Sequence, residues 1–148
     1  MKRINEYKKL FSAEQDMSLK NLKSTYRKLV KTWHPDKFQA GDEKAIEAEA
    51  MSRKIIDGYH FLVSIAPETK AANLEEFKVT MSSPIMDWQH KGQLLEITFL
   101  NGDTYEFFGV NKALYIKFSQ SDKQTRFAKR NIFNNFTYRK IRKSEVVA

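Results

Sequence analysis

Apolar residues recur every three or four positions through most of the first half of the chain, which is the spacing of an amphipathic helix. The pattern predicts a short helix over residues 5–11 and a longer one that begins after Ser18 and ends at Trp33 or His34. Ser18 suits the N-cap because its hydroxyl can accept a hydrogen bond from the first turn. The apolar stripe of the longer helix is predicted to contain Leu19, Leu22, Tyr26, Leu29, Val30 and Trp33.

Helical periodicity is interrupted at "HPDKFQAGDE", because Pro35 disfavours a helical conformation at the residue before it. Gly41 and Asp42 mark the far end of this loop, and a second long helix follows with Asp42 or Glu43 in its first turn. We expect the two long helices to pack antiparallel, joined by a loop long enough to be a candidate for function. The second apolar stripe is predicted to contain Ala45, Ala48, Ser52, Ile55, Tyr59 and Leu62.

The helical spacing is lost at "APETKAANLEEF", which is typical of a linker or a short connecting helix. Beyond it the chain is rich in β-branched and aromatic residues, and Asn101-Gly102 predicts a hairpin between two strands. Helical spacing returns in "NKALYIKFSQS" and "DKQTRFAKRNIF", and "FTYRKIRK" is interpreted as a final strand or an extended tail. The strand-like segments are "FKVTMSS", "PIMDWQHKG", "QLLEITFL" and "DTYEFFGV".

These patterns predict two small domains. Residues 1–66 form an all-α helical hairpin, 67–77 a linker, and 78–148 an α+β domain with an antiparallel β-hairpin and two short helices. A chain of 148 residues that is 41% hydrophobic and 13% aromatic has enough apolar surface for both cores.

Composition limits the classes of function. The chain has no cysteine, which excludes disulfides, thiolate zinc sites and a cysteine nucleophile, and favours a reducing compartment. No run approaches the roughly 18 apolar residues of a membrane span, and "MKRINEYKKL" is charged where a signal peptide is apolar. We therefore expect a cytoplasmic, monomeric protein that does not bind membranes.

The positive charge is concentrated on one side of the first long helix. At 100° per residue, Lys20, Lys23, Arg27 and Lys31 fall within roughly an 80° sector beside the apolar stripe. From residue 18 to residue 37 there are six basic residues against one acid, Asp36. The four cations of this sector are predicted to form a solvent-facing ridge, and we call them, together with the neighbouring Lys28, the basic ridge. The net charge of +8 and this ridge favour an acidic partner, and the ridge ends beside a proline loop that carries an imidazole and a carboxylate.

The segment "YRKLVKTWHPDK" resembles the second helix and loop of the J domain, the DnaJ-type co-chaperone module. The resemblance extends over residues 5 to about 65, with "YKKLF" at the family's first helix and "KIIDGYHFLVS" at the end of its third. The chain differs from the family at Trp33, where tyrosine is usual, at Phe38, and at the short fourth helix, which is missing or rewritten as "APETKAANLEEF".

The J-domain resemblance implies a function in which the protein is not itself an enzyme. The basic helix would bind an acidic surface of an ATP-bound, DnaK-type heat-shock protein 70, and the loop would trigger ATP hydrolysis in that partner. No cofactor is implied. The residues that match the family's binding face and trigger loop are Lys23, Tyr26, Arg27, Lys28, His34, Pro35 and Asp36.

The second half resembles the KTSC domain, named for its occurrence at the C-terminus of some lysyl-tRNA synthetases. The resemblance covers residues 78 to about 142 and rests on "SSPIMDW", "LLEITFLNGDTYEFFGV", "ALYIKF" and "RNIFNNFTYRKI". The segment "KQTRFAK" replaces the family's usual small-x-Gly step, so we expect a different loop there. The link to a synthetase hints at RNA.

Charge gives the nucleic-acid hypothesis independent support, because residues 112–143 contain ten basic residues and one acid, Asp122. Interleaved aromatic residues could act as stacking platforms for single strands or RNA. The alternative is that the rings are core and the charges a solvated face. The aromatic residues are Tyr115, Phe118, Phe127, Phe133, Phe136 and Tyr138. The candidate nucleic-acid-binding residues are Lys123, Arg126, Lys129, Arg130, Arg139 and Lys140.

Other chemistry is poorly supported by the sequence. His34, His60 and His90 are too scattered for a metal site, and Ser82-Ser83 is interpreted as a turn or cap because no base accompanies it. Two hypotheses follow. The protein is a J-domain co-chaperone whose C-terminal domain recruits a client, RNA or a location, or it is a nucleic-acid-binding adaptor whose J-like half is a scaffold.

Overall fold

The chain divides into two units between Ala71 and Ala72. The computed structural model describes residues 2–38 and 43–141, so the predictions made for Gly41, Asp42, Arg142 and Lys143 lie outside the described residues. The predicted fold class is confirmed, since helices come first and a four-stranded antiparallel sheet with helices follows in the described part of the chain. The division falls within the segment predicted as a linker, and that segment is helical.

The N-terminal unit is built from helices. They are α1 (Lys2–Leu10), α2 (Leu19–Trp33), α3 (Glu43–Ile65) and α4 (Pro67–Ala72), with a 3₁₀ turn at Pro35–Lys37. Leu22, Ala48, Ile55 and Leu62 of the predicted stripes are buried, and the stripes of α2 and α3 meet where Tyr26 stacks on Tyr59 at 4.3 Å between ring centroids. Each large apolar side chain buried in this way contributes about 1.5–3 kcal/mol to the free energy of unfolding.

Helix α1 packs against α3 through aromatic residues. Tyr7 lies 5.4 Å from Phe61, and Phe11 lies 6.4 Å from Tyr59, measured between ring centroids. Gly58 makes this approach possible, because a Cβ atom there would lie 2.8 Å from Cδ1 of Tyr7.

We expect Gly58→Ala to destabilise the N-terminal unit by about 1 kcal/mol. Relieving the contact costs about 1–3 kcal/mol of overpacking, whereas the gain in helix propensity returns at most about 1 kcal/mol. Chemical denaturation followed by circular dichroism at 222 nm measures the change. Ala50→Gly, at an exposed position of the same helix, is the control that measures the difference in helix propensity alone. Adding that difference to the loss of stability in Gly58→Ala gives the cost of the contact with Tyr7. A more stable Gly58→Ala protein would contradict the packing described here.

The C-terminal unit begins with α5 (Leu74–Met81) and continues with three strands, β1 (Ile85–Lys91), β2 (Leu94–Phe99) and β3 (Thr104–Phe108). The helices α6 (Lys112–Gln120) and α7 (Gln124–Asn131) follow, and β4 (Thr137–Ile141) ends the described part. The strand order is β1-β2-β3-β4, antiparallel throughout. Residues from α5, α6 and α7 share one core with alternate residues of β2 and β3, so these helices cover one face of the sheet.

One predicted strand is wrong, because most of "FKVTMSS" belongs to helix α5. Leu74, Phe77 and Met81 have the spacing of one helical face, and Phe77 and Met81 are buried in the C-terminal core. Val79 and Thr80 gave the segment its strand-like composition, but burial of the helical face overrides that weak preference.

The predicted hairpin at Asn101-Gly102 is present between β2 and β3. Gly102 has a φ of 95°, a conformation that residues with a Cβ atom rarely adopt. The side chain of Asn101 accepts a hydrogen bond from the backbone N–H of Asp103 at 3.0 Å, and its amide donates to Thr80 in α5 at 3.1 Å. The hairpin is therefore fixed to the helix that precedes the sheet.

Candidate functional site

Helix α2 presents the basic ridge to solvent. Ser18 caps the helix as predicted, since its Oγ accepts a hydrogen bond from the N–H of Asn21 at 3.2 Å. Oε1 of Glu68 in α4 accepts a second hydrogen bond, from the N–H of Leu19 at 2.7 Å. With both groups satisfied, the start of α2 is fixed, and the direction of the ridge is set by the burial of Leu22 on the opposite side.

The charge of the ridge is not neutralised within the unit. All five ridge side chains are exposed. Among residues 2–38 and 43–141 no carboxylate forms an ion pair with any of them, whereas Arg53 of α3 pairs with Glu49 at 3.1 Å. A partner that carries carboxylates would therefore meet free cations on α2.

The candidate trigger loop begins where α2 ends. His34 leaves the helix with extended backbone angles of φ −60° and ψ 128°, as expected for a residue before proline. The turn Pro35–Lys37 follows at once, closed by a hydrogen bond from the N–H of Lys37 to the carbonyl of His34 at 3.1 Å. The side chain of His34 is 49% exposed and that of Asp36 is 90% exposed, so both are accessible at the end of the ridge.

His34 and Asp36 are linked through the backbone. The N–H of Asp36 donates to Nδ1 of His34 at 3.2 Å, so Nδ1 acts as an acceptor and the ring hydrogen is placed on Nε2. Nδ1 also lies 3.5 Å from Oδ2 of Asp36, but an ion pair there would require a proton on the nitrogen that already accepts. In this geometry the Asp36 carboxylate keeps its charge available for a partner, and His34 presents a donor.

A shallow depression of about 380 Å³ lies between the ridge and the loop. Tyr26 forms part of it while its ring stacks on Tyr59, so this residue serves the core and the surface together. Val30, which the sequence assigned to the apolar stripe, is half-buried and lines the depression as well. The lining residues are Tyr26, Arg27, Val30, Lys31, His34 and Lys37. Val30 and Lys37 were not among the candidate site residues, although both lie in the segment that resembles the J domain.

A second basic surface lies on the C-terminal unit at α7. Lys123, Arg126, Lys129 and Arg130 are exposed and line one depression of about 630 Å³, together with Pro84 and Ile85 at the start of β1. None of these four cations is ion-paired within the described ranges. We call this the α7 surface, and it unites four of the six candidate nucleic-acid-binding residues.

The other two candidates have carboxylate partners. Nη1 of Arg139 lies 3.0 Å from Oε1 of Glu106. Lys140 pairs with Glu76 and lies 3.6 Å from Oδ1 of Asp103. Burial lowers the pKa of Lys140, but its hydrogen bond to Glu76 and the charge of Asp103 outweigh that effect and leave the pKa above its ordinary value. These ion pairs hold β4 to its neighbours in the C-terminal unit.

The aromatic residues proposed as stacking platforms belong to the core. Phe118 and Phe133 are buried, and Phe127, Phe136 and Tyr138 pack against the same cluster. Tyr115 stacks on His90 at 4.4 Å, while Nε2 of His90 bonds to the carbonyl oxygen of Val110 at 2.7 Å. These rings are therefore used for packing, as the alternative interpretation holds for the aromatic residues.

The remaining sequence features have structural roles. Ser83 accepts a hydrogen bond from the N–H of Asn101, and Ser82 donates to the carbonyl of Lys78, which supports their interpretation as turn and cap residues. No cluster of three or more metal-ligating side chains occurs in the parts of the chain that the structure describes. No described helix has the length and apolar character required to cross a membrane.

The fold and the two surfaces define a helical hairpin with exposed His34 and Asp36 side chains, followed by an α+β unit with a basic surface. Residues 81–136 match the KTSC domain, which confirms the resemblance of the C-terminal unit. The J-domain resemblance of residues 5–65 is not supported by a family match. Comparisons of the chain with curated proteins and with solved structures find no match.

Proposed function

We propose that the N-terminal unit is a J-domain-like co-chaperone module, which binds a DnaK-type heat-shock protein 70 and stimulates its ATP hydrolysis. One observation carries the proposal: the exposed His34 and Asp36 lie directly at the end of a helix whose exposed cations have no acidic partner within the described residues. The three helices α1–α3, arranged so that α2 displays this face, also have the order that the resemblance implies.

The basic ridge supplies attraction and orientation. Opposite charges on two proteins accelerate their encounter and fix the register in which they meet. Because the ridge cations are exposed, each contributes at most about 1 kcal/mol to affinity, and salt screens this contribution. The depression that contains Tyr26 and Val30 adds an apolar contact between the charged ridge and the loop.

The loop acts on the conformation of the partner. Among the described residues neither His34 nor Asp36 is hydrogen-bonded to a serine or a cysteine, and we assign them no proton-transfer role. A partner can be driven toward its hydrolysing conformation if that conformation binds the loop more tightly than the resting one does. The 3₁₀ turn fixes the backbone that carries both side chains before binding, which lowers the entropy lost on association.

In this proposal the C-terminal unit binds a client protein or an RNA, or directs the protein to a location in the cell. The competing function is a nucleic-acid-binding adaptor in which the helical unit is only a scaffold, and the α7 surface is the observation that favours it. A scaffold does not require exposed cations without acidic partners among the described residues, next to the exposed side chains of His34 and Asp36, and for that reason we prefer the co-chaperone.

Neutralising the ridge with Lys23→Gln, Arg27→Gln and Lys28→Gln should raise the concentration for half-maximal stimulation roughly tenfold, which corresponds to about 1.4 kcal/mol. The measurement is single-turnover ATP hydrolysis by a DnaK-type chaperone, with this protein in excess. The difference from wild type should shrink at high salt, because the lost interaction is between exposed charges.

The matched control removes the same number of exposed cations from α1 and α3, as Lys2→Gln, Lys9→Gln and Lys54→Gln. This control should stimulate like wild type. If both triple variants raise the concentration for half-maximal stimulation equally, the effect comes from net charge and the ridge is not a docking face. Absence of stimulation by folded wild-type protein with every DnaK-type chaperone tried would reject the co-chaperone function.

A further inference from the structure

We propose that the α7 surface binds nucleic acid through its phosphates and does not read the bases. This inference concerns the C-terminal unit and does not depend on the co-chaperone proposal. It rests on the arrangement of four exposed cations around one depression and on the burial of the neighbouring aromatic rings.

The cations form a row along the helix. With 100° per residue, Arg126 and Arg130 fall within about 40° of one another, and Lys129 lies about 60° further round from Arg126. These three cations extend roughly 6 Å along the axis at about 1.5 Å per residue, and Lys123 lies immediately before the helix as its N-cap. A row of separated cations suits a ligand with regularly repeated negative charges better than a single small anion.

The four cations are not used to stabilise the described part of the C-terminal unit through polar contacts. They are exposed, and no side-chain hydrogen bond or ion pair of theirs occurs among the described residues. In contrast, Arg139 and Lys140 of the same unit are matched with carboxylates. Four unmatched like charges in one place repel one another, so the arrangement favours binding of a polyanion.

The depression has features that suit a phosphate backbone. Arg126 and Arg130 lie one helical turn apart, and each guanidinium can bind a phosphate with two parallel hydrogen bonds. Gln124 and Thr125 add polar side chains, and the lining contains one acidic residue, the exposed Asp122. The lining therefore keeps a large excess of positive charge.

In the part of this unit that the structure describes, the aromatic rings near α7 are used for packing and are not available to stack on the bases of a single strand. Sequence-tolerant single-strand binding uses exposed aromatic rings as stacking platforms, but Phe118 and Phe133 are buried and Phe127 packs on the core. Binding should then depend on phosphate density, which is higher along a duplex than along a single strand. We expect a duplex to be preferred and homopolymers of adenine and uracil to bind equally.

The test is fluorescence anisotropy of a labelled RNA duplex with the full-length protein over a range of potassium chloride concentrations. If the four cations neutralise four phosphates, the plot of log affinity against log salt should have a slope between about −3 and −4. The variant Lys123→Gln, Arg126→Gln, Lys129→Gln, Arg130→Gln should bind at least about tenfold more weakly, and its slope should be closer to zero by about 3 to 4.

A control of equal charge change distinguishes this surface from general basicity. Lys2→Gln, Lys9→Gln, Lys54→Gln and Lys91→Gln remove four exposed cations that lie outside both the ridge and the α7 surface, and this variant should retain duplex affinity within about twofold. Equal losses in the two variants would overturn the proposal, as would a clear preference for one homopolymer. Binding only to inorganic phosphate or only to anionic vesicles, lost in the α7 variant, would assign the surface to another ligand and also overturn it.

Discussion

Replacing Asp36 with asparagine should reduce the stimulation of ATP hydrolysis to the level of the chaperone alone, even at saturating concentrations. The side chain is 90% exposed and keeps its shape in the variant, so the folding free energy should change by less than about 0.5 kcal/mol. The change removes one full negative charge at the end of the ridge. If the partner's responsive conformation is recognised by that charge, an amide cannot replace it, because ionic hydrogen bonds are about twice as strong as neutral ones.

His34→Gln should give the same loss for a related reason. The imidazole fixes the loop by accepting the N–H of Asp36, and glutamine lacks the rigid ring that places an acceptor there. The control is Asp57→Asn, the same chemical change at an exposed position of α3. Stimulation is measured by single-turnover hydrolysis, and circular dichroism confirms folding. Retention of more than about half of the wild-type stimulation by Asp36→Asn would exclude the proposed trigger role.

Phe107→Ala should remove most of the stability of the C-terminal unit. Phe107 is fully buried on β3, and its ring centroid lies 5.6 Å from that of Phe133 and 6.3 Å from that of Tyr138. Truncating a buried phenylalanine costs about 3–5 kcal/mol, and domains are typically stable by only about 5–15 kcal/mol. A unit of this size is close to the lower limit for a single core, so its free energy of unfolding is expected to be small and a loss of this magnitude removes most of it.

The two tryptophans make this measurement specific, because Trp33 lies in α2 and Trp88 lies in β1. In a Trp33→Tyr background, the fluorescence of Trp88, which contacts Phe118 edge to face at 5.5 Å, reports unfolding of the C-terminal unit alone. Phe107→Leu should cost less than about 1.5 kcal/mol, and Met86→Ala, at an exposed position, less than about 0.5 kcal/mol. A Phe107→Ala midpoint equal to that of Met86→Ala would disprove the packing role.

The N-terminal unit could be predicted from sequence because its signals are local and agree with one another. The cap at Ser18, the apolar spacing through Leu22 and Tyr26, and the stop imposed by Pro35 all point to the bounds that the structure has. The exposure of the ridge follows from the same spacing. The pairing of His34 Nδ1 with the N–H of Asp36 does not, because it depends on the turn that follows the helix.

The C-terminal unit was harder to predict because its contacts join distant segments. Asn101-Gly102 identified one hairpin. The segments "PIMDWQHKG" and "QLLEITFL" also separated β1 from β2 at Gly92, but no hairpin was predicted there, since "KGQ" has only a single turn residue. The count of basic residues along the sequence identified the cations of the α7 surface. The same count also included Arg139 and Lys140, because their carboxylate partners Glu106 and Glu76 are 33 and 64 positions away in sequence.

The placement of β4 has a consequence for the order in which the protein forms during synthesis. The contacts of α1, α2 and α3 lie within one early stretch of chain, so the helical unit can fold as soon as that stretch leaves the ribosome. In contrast, Phe77 of α5 stacks on Tyr138 at 4.0 Å, and Glu76 pairs with Lys140. These contacts cannot form until β4 has been synthesised. Until β4 is synthesised, β3 exposes an unpaired edge beside buried aromatic residues, and this interval is when the nascent chain is most prone to aggregation.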